Sequence, residues 1–401
     1  MLKREIYLKK IRPFYESDLI KVLLGMRRVG KSVILNEIIS EIQDNTDVSN
    51  EQIIYVNFES LEYSNIKDEI DLYNYVKSKI VKNKKMYLFF DEVQNVKNFE
   101  KAINSFRVDF DSSIFITGSN GKLLSSDIST LLSGRFVQFK IMPFTYKEYV
   151  EYSKQKGKFQ DKDLFEDYLK FGGMPQRFNF NSESETLIYL KDLYASIISR
   201  DIFQRFNIQN INLLNSILKY LLLNTSNIFS ANSIVKFLKS EGRNVATETV
   251  YNYIDNILES LIINKVNRFD IKGKKVLSSL SKYYATDFSM IEINEADINL
   301  NLGARLENLV YNQLLAFDYE VYVGKTYNGE IDFVVKKGRK KKYIQVSYIL
   351  DNEKTILREF NAFNPINDNF DKYVISTDKF DMSRNGIKHL NIIDFLMMDD
   401  F

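Results

Sequence analysis

One eight-residue segment constrains this chain more than any other: Gly25-Met26-Arg27-Arg28-Val29-Gly30-Lys31-Ser32. The apolar run Ile20-Lys21-Val22-Leu23-Leu24 leads into it and reads as a buried strand. Val33-Ile34-Leu35-Asn36-Glu37-Ile38-Ile39 leaves it with a helical pattern. Strand, GxxxxGK[ST] and helix in this order predict a phosphate-binding loop. The glycines let backbone N–H groups turn inward, and the following helix directs its positive end at the anion. The predicted cradle comprises Gly25, Arg27, Arg28, Val29, Gly30, Lys31, Ser32 and Val33. In such a loop the ammonium of Lys31 neutralises the β- and γ-phosphates and the hydroxyl of Ser32 ligates Mg²⁺.

A site for a nucleotide with Mg²⁺ needs a second, acidic strand. Lys84-Lys85-Met86-Tyr87-Leu88-Phe89-Phe90-Asp91-Glu92 supplies one, about 60 residues beyond Lys31. Its carboxylates fall at the strand's C-terminal edge, where open α/β sheets bind ligands. Asp91 is expected to hold Mg²⁺ through water, and Glu92 to act as general base on the water that attacks the γ-phosphate. Residues 52–58 and Ser113-Ile114-Phe115-Ile116-Thr117-Gly118-Ser119-Asn120 read as further strands of the same sheet. Ser119 is a candidate to sense the γ-phosphate or orient the water; a plain glycine turn is the competing reading. Arg135, in Leu131-Leu132-Ser133-Gly134-Arg135-Phe136, is a candidate for charge stabilisation in cis or from a neighbouring subunit, against a surface ion pair. Met142-Pro143-Phe144 closes the region. There is no Asn-Lys-x-Asp pattern of the kind that selects guanine, so ATP and Mg²⁺ are the expected cofactors.

Composition narrows the remaining chemistry. The 401 residues suggest two or three domains. With 55 Lys and Arg against 53 Asp and Glu, the net charge is +2, which excludes a globally basic nucleic-acid coat but not a local patch. Cysteine is absent and His389 is the single histidine, so thiolate nucleophiles, disulfides and thiolate- or multi-histidine metal sites are excluded. No apolar run reaches the length of a membrane span, and the charged Met1-Leu2-Lys3-Arg4-Glu5 has no signal-type segment behind it. The expectation is a cytoplasmic protein with no membrane partner.

The ordered set of motifs resembles the AAA-type ATPases of bacteria and archaea that carry a uniform C-terminal region. The matching segments in the first part of the chain are the phosphate loop, Phe90-Asp91-Glu92-Val93-Gln94, Ile116-Thr117-Gly118-Ser119 and Leu132-Ser133-Gly134-Arg135. Further on, Phe171-Gly172-Gly173-Met174-Pro175 and Ser199-Arg200-Asp201-Ile202 match as well. The resemblance implies an ATP-binding, ATP-hydrolysing protein followed by a winged helix and a nuclease-like domain. It also allows Arg200-Asp201 to cap or sense the nucleotide across an interface, beside a purely structural role.

The expected fold is α/β in four segments. A P-loop NTPase core with a parallel sheet occupies residues 1–150 and a helical lid or linker residues 151–210. Residues 211–290 form a winged helix and residues 291–401 a restriction-endonuclease-like α/β domain. Helices are expected over residues 187–203, 211–223, 230–238 and 248–261. Residues 262–266 and 282–285 then form a hairpin with the basic tip Lys272-Gly273-Lys274-Lys275. The third helix of the winged helix shows Thr249, Asn252 and Tyr253 beside Glu248 and Asp255, a poor phosphate-binding face. DNA reading and protein packing both stay open for it.

The final segment resembles the PD-(D/E)XK arrangement, with Glu307 and Asp332 in the places of metal carboxylates. Its third strand should carry Glu-x-Lys but reads Gln345-Val346-Ser347, so metal-dependent cleavage is not expected. The turn Lys336-Lys337-Gly338-Arg339-Lys340-Lys341-Lys342 suits a phosphate backbone or a solvated tip equally. The partners in view are DNA (through residues 211–290 and 336–342), a protein client and a second copy of the chain. The leading expectation is an ATPase that couples nucleotide state to binding by its C-terminal modules. The alternatives are a nucleotide-gated switch with negligible turnover and, more weakly, an ATP-dependent nuclease.

Overall fold

In a computed structural model, the structure describes residues 2–45, 47–121, 134–157, 164–294, 302–327 and 329–401. The chain divides into two compact units, Met1–Met142 and Pro143–Phe401. Leu131, Leu132 and Ser133, part of the motif around Arg135, lie outside the described residues.

The first unit opens with helix α1 (Glu5–Ile11) and contains five parallel strands: β1 (Ile20–Leu24), β2 (Ile53–Asn57), β3 (Met86–Asp91), β4 (Ser112–Gly118) and β5 (Phe136–Lys140). Their order across the sheet is β2-β3-β4-β1-β5. Every residue of β1, β3 and β4 is buried, as a parallel sheet covered on both faces requires. The edge strand β2 alternates instead between buried and half-buried positions. Helices α2 (Lys31–Asn45), α3 (Glu69–Lys77) and α4 (Phe99–Asp109) connect the strands. Leu72 and Val76 of α3 and Ile103 and Phe106 of α4 enter one core with Val22, Leu88 and Ile116 of the sheet.

An ion-pair cluster ties the N-terminal segment to α2. The Glu41 carboxylate accepts from Arg12 Nη2 at 2.6 Å, Arg12 Nε at 2.8 Å, Tyr15 OH at 2.8 Å and Lys3 Nζ at 2.6 Å.

Among the described residues, the second unit begins with helices α5 (Tyr146–Lys156), α6 (Leu164–Phe171), α7 (Glu183–Ser196), α8 (Ile211–Leu223) and α9 (Ala231–Ser240). A Thr145–Glu148 capping box starts α5. Wide π turns over Ile197–Gln204 prolong α7, placing Arg200 at the surface and burying Asp201. After α10 (Thr247–Glu259) come the antiparallel strands β6 (Ile263–Asp270) and β7 (Lys275–Ala285), and then the short α11 (Ser289–Asn294). The last part holds α12 (Leu302–Ala316), β8 (Glu320–Lys325), β9 (Glu330–Lys337), β10 (Lys340–Val346), α13 (Glu353–Asn361), β11 (Asp371–Ser376), β12 (Ile387–Asn391) and α14 (Ile392–Met397).

Here the structure differs from a chain of separate modules. The hairpin expected to end a free-standing winged helix runs on into the C-terminal sheet, because β6 pairs in parallel with β8 from Arg268–Val323 to Asp270–Lys325. The result is one seven-stranded sheet, ordered β12-β11-β10-β9-β8-β6-β7. Backbone pairing of β6 spares it an exposed edge. The Gly172-Gly173 turn is tied to the residues that follow this hairpin. The Gly173 N–H donates to Asp287 Oδ2 at 2.8 Å, and a Cβ on Gly172 would overlap the same carboxylate. Gly172 also has a φ of +69°, so no other residue suits the position.

Glu41 generates an acid-stability prediction. Hydrogen bonds from Arg12 are the main cause that lowers its pKa to about 2, against burial, with Lys3 and Tyr15 adding to the effect. Because the folded pKa lies below the ordinary value of 4.5, its contribution is full above that pH and is lost as pH falls toward about 2. Glu41→Gln should lower the urea midpoint at neutral pH and flatten its fall across that window. An identical acid profile in wild type and variant would refute the role.

Candidate nucleotide site

The loop after β1 owes its shape to crowding. A Cβ on Gly25 would stand 2.4 Å from the Ile141 carbonyl oxygen and 2.9 Å from Val29 Cγ2, so the backbone passes only without a side chain. Gly30 takes a φ of +98° and Arg28 one of +66°, which turn the chain into α2. Arg28 points to solvent, and Arg27 reaches Glu59 at 3.3 Å. Ser32 and Val33 are half-buried in the first turn of α2.

Lys31 is buried and folds back over the loop. Its Nζ donates to the carbonyl of Gly25 at 3.0 Å and of Met26 at 3.3 Å, and lies 3.2 Å from Glu92 Oε1. Glu92 follows β3 in the left-handed region, with a φ of +55°. For a residue with a side chain this costs free energy, and such strain is concentrated at functional positions. The Glu92 N–H is held by Thr117 Oγ1 at 2.8 Å, while Gln94 Nε2 donates to Glu92 Oε2. Burial works against the charged form of Glu92. The Lys31 ammonium and the donors Gln94 and Ser119 outweigh it and keep its pKa below the ordinary value. A carboxylate at this position is a base rather than an acid at neutral pH.

Asp91 is fully buried, with Thr117 Oγ1 donating to Oδ1 and Tyr55 OH donating to Oδ2 at 3.1 Å. Ser119 is buried just past β4, 3.4 Å from Gln94 Nε2. The register explains the convergence. Leu24 pairs with Gly118, and Phe90 with Ile116, so loop, acids and Ser119 leave the sheet at one edge. Ser32 and Asp91 offer side-chain oxygens, the donor type that suits Mg²⁺.

Arg135 stands apart from these residues. Its carbonyl accepts from the Ile20 N–H at 2.9 Å, at the start of β1. The phosphate loop leaves the far end of that strand, roughly 13 Å away. The side chain is exposed. Within one copy this holds its backbone at the end of β1 opposite the loop.

Two contributors were given no role in the sequence reading, although Gln94 lies in one of its matching segments. Gln94 links Glu92 to Ser119. Arg4 braces the loop from behind: almost wholly buried, its Nη1 donates to the Val29 carbonyl and to the Met142 carbonyl, both at 3.0 Å. No local pattern signals Arg4, since Met142 stands 138 residues away.

In the second unit, Glu307 and Asp332 do come together. Gln345 Oε1 accepts from the Asp332 N–H at 3.0 Å, and Ser347 Oγ turns to the Ile349 carbonyl at 3.4 Å. The basic turn is partly neutralised: Lys337 pairs with Asp400 and Lys341 with Asp368, both at 2.7 Å, while Lys336 lies over Phe269. Arg339 and Lys340 are exposed, as are Lys272, Lys274 and Lys275 at the tip between β6 and β7.

The bracing by Arg4 generates a prediction. Arg4→Ala leaves buried carbonyls without this donor, at about 1–3 kcal/mol for each. The first unit should lose stability, and a fluorescent ATP analogue should bind more weakly. Unchanged binding at a temperature where the variant is folded would limit Arg4 to a packing role.

Comparison with known proteins agrees with this architecture. Residues 17–150 match the family described as AAA domain. Residues 162–294 and 302–395 match two families described as domains of unknown function, DUF8612 and DUF4143. An uncharacterized protein of Haemophilus influenzae is 33% identical over 99% of both chains. An uncharacterized protein of Methanocaldococcus jannaschii is 32% identical over 90% of this chain and 81% of its own. Among solved structures, the fold is similar to that of a Walker-type ATPase of Pyrococcus abyssi, with a TM-score of 0.54 and 17% identity over 73% of this chain and 96% of that one. The chain therefore belongs to the bacterial and archaeal family in which an N-terminal AAA domain of P-loop NTPase fold is followed by these two further regions.

Proposed function

We propose that the chain binds ATP with Mg²⁺ in its first unit, hydrolyses the γ-phosphate, and couples nucleotide state to binding by its second unit. The observation that carries this reading is the meeting of Lys31, Asp91, Glu92 and Ser119 at one sheet edge beside a loop that only glycine can form. In this reading the loop amides from Gly25 to Val33 cradle the phosphates. Lys31 exchanges Glu92 for the β- and γ-phosphate oxygens, and the released carboxylate then takes the proton of the attacking water. Bound Mg²⁺, held through Ser32 and Asp91, would offset phosphate charge. Ser119 orients the γ-phosphate, and Arg135 of a second copy adds charge where negative charge develops.

The same ion pair supports a second reading. A base held by Lys31 until nucleotide arrives also suits a switch that binds ATP but turns it over very slowly. For partners, the exposed lysines at the tip between β6 and β7 favour a nucleic-acid backbone contacted without sequence reading. The face of α10 with Glu248 and Asp255 favours a protein. No helix among the described residues is long and apolar enough to cross a membrane, and a cytoplasmic setting is part of the proposal.

Steady-state phosphate release separates the two readings. Lys31→Ala should abolish turnover and weaken ATP binding. Glu92→Gln should keep binding while turnover falls by about 100-fold or more. Turnover that persists in Glu92→Gln would remove Glu92 as the base, and none in wild type would leave the switch. The same assay across protein concentrations, with and without duplex DNA, tests the other two elements. Specific activity should rise with concentration in wild type and not in Arg135→Ala. A DNA effect lost with the lysines at residues 272–275 would identify that tip as the contact.

A further inference from the structure

The restriction-endonuclease-like resemblance implies a divalent metal between Glu307 and Asp332. The residues present do not fit one. Lys282, from the middle of β7, extends its side chain into that position and is 97% removed from solvent. Its Nζ stands 2.9 Å from Glu307 Oε1, 2.6 Å from Glu330 Oε1 and 3.6 Å from Asp332 Oδ1. Three carboxylates from α12 and β9 thus surround a single ammonium.

Several of the oxygens a metal would need are already engaged. Glu307 Oε1 also accepts from Tyr284 OH at 2.6 Å, and Asp332 Oδ2 accepts from the Val346 N–H at 2.9 Å. Lys282 and Tyr284 are two apart on β7, so both side chains leave the same face of the strand and meet α12 together. Gln345, in the place of the missing acid, offers its amide oxygen to a backbone N–H instead of the cluster centre. Ser347, in the place of the missing lysine, turns to a backbone carbonyl. Both residues that depart from the metal-binding pattern thus bond to the backbone, and the carboxylates are contacted by Lys282 instead.

We infer that Lys282 is the resident cation of this carboxylate cluster, and that the cluster is a metal-free brace joining the β6–β7 hairpin to α12 and β9. The charge logic requires some cation, because three clustered carboxylates with no counter-charge are costly to bury. An ammonium supplied from the chain serves without a free ion, and it makes the hairpin inseparable from the C-terminal sheet. Glu307 and Asp332 keep the positions of metal ligands while serving as partners of Lys282.

The test uses full-length, nucleotide-free protein and Mn²⁺ as the probe. Wild type should show no Mn²⁺ uptake, by electron paramagnetic resonance, that Glu307→Gln removes, and no DNA cleavage with Mn²⁺. Lys282→Met should melt roughly 5–15 °C lower in EDTA, since an uncompensated buried charge cluster remains. Added Mn²⁺ should bind this variant and restore much of the loss. Lys282→Met combined with Asp332→Asn and Glu330→Gln should regain stability in EDTA and lose the response to Mn²⁺. If the single variant does not fold, the triple variant carries the test: folding in EDTA supports the brace, and failure to fold refutes it. One equivalent of Mn²⁺ bound by wild type and lost in Glu307→Gln would overturn the inference. So would Mn²⁺-dependent cleavage that requires Lys282, which would make it a catalytic group. A folded Lys282→Met that neither loses stability nor responds to Mn²⁺ would overturn it as well.

Discussion

The constraint behind the first unit is the complete burial of β1. Five consecutive residues without access to solvent fit only an interior strand of a sheet covered on both faces. That position sets β1 between β4 and β5, and the parallel register brings the ends of β1, β3 and β4 to one edge. The loop, the acidic pair and Ser119 then converge without any further device. The ion pair between Lys31 and Glu92 follows, because two opposite charges removed from water at that edge have each other as partners. The left-handed backbone at Glu92 is the local strain this arrangement tolerates.

The second unit depends on buried charge in a different way. Some of its polar contacts join segments distant in sequence: Asp287 holds the Gly172-Gly173 turn, and Lys282 sits among Glu307, Glu330 and Asp332. Removing one partner from such a contact leaves the other charge buried and uncompensated. These interactions therefore specify which segments belong together as much as they stabilise them. The run of β6 into the C-terminal sheet adds backbone hydrogen bonds to the same junction. Movement of the hairpin relative to that sheet would have to break both.

Much of the first unit was legible because its signals are local. The apolar run 20–24 is β1 as observed, and the run ending at Asp91 is β3. The glycines of the loop carry their own conformational argument. Local signals weaken elsewhere. Only residues 282–285 of β7 were read as strand, because the polar first half, beginning at Lys275, lacks apolar alternation. β12 and α13 were not read at all, since each is short and stabilised mainly by the sheet it joins. Arg135 shows a different limit: its motif marks it as a candidate but leaves open in which copy it acts, and the parallel pairing of β5 with β1 puts its backbone at the edge opposite the loop.

Sequence alone determined that this chain holds a phosphate loop with an acidic strand, on a parallel sheet, and that Gln345 and Ser347 stand where a nuclease pattern would carry Glu and Lys. Those conclusions rest on residue types at short spacings, where backbone geometry dictates what the side chains can do. Tertiary structure alone decided that Arg4 supports the loop, that Gln94 holds the Glu92 carboxylate, and that Lys282 stands among three carboxylates. Each of those depends on where a flexible, charged or polar side chain ends in space. Its partner can lie next door or more than a hundred residues away, and only packing selects between them.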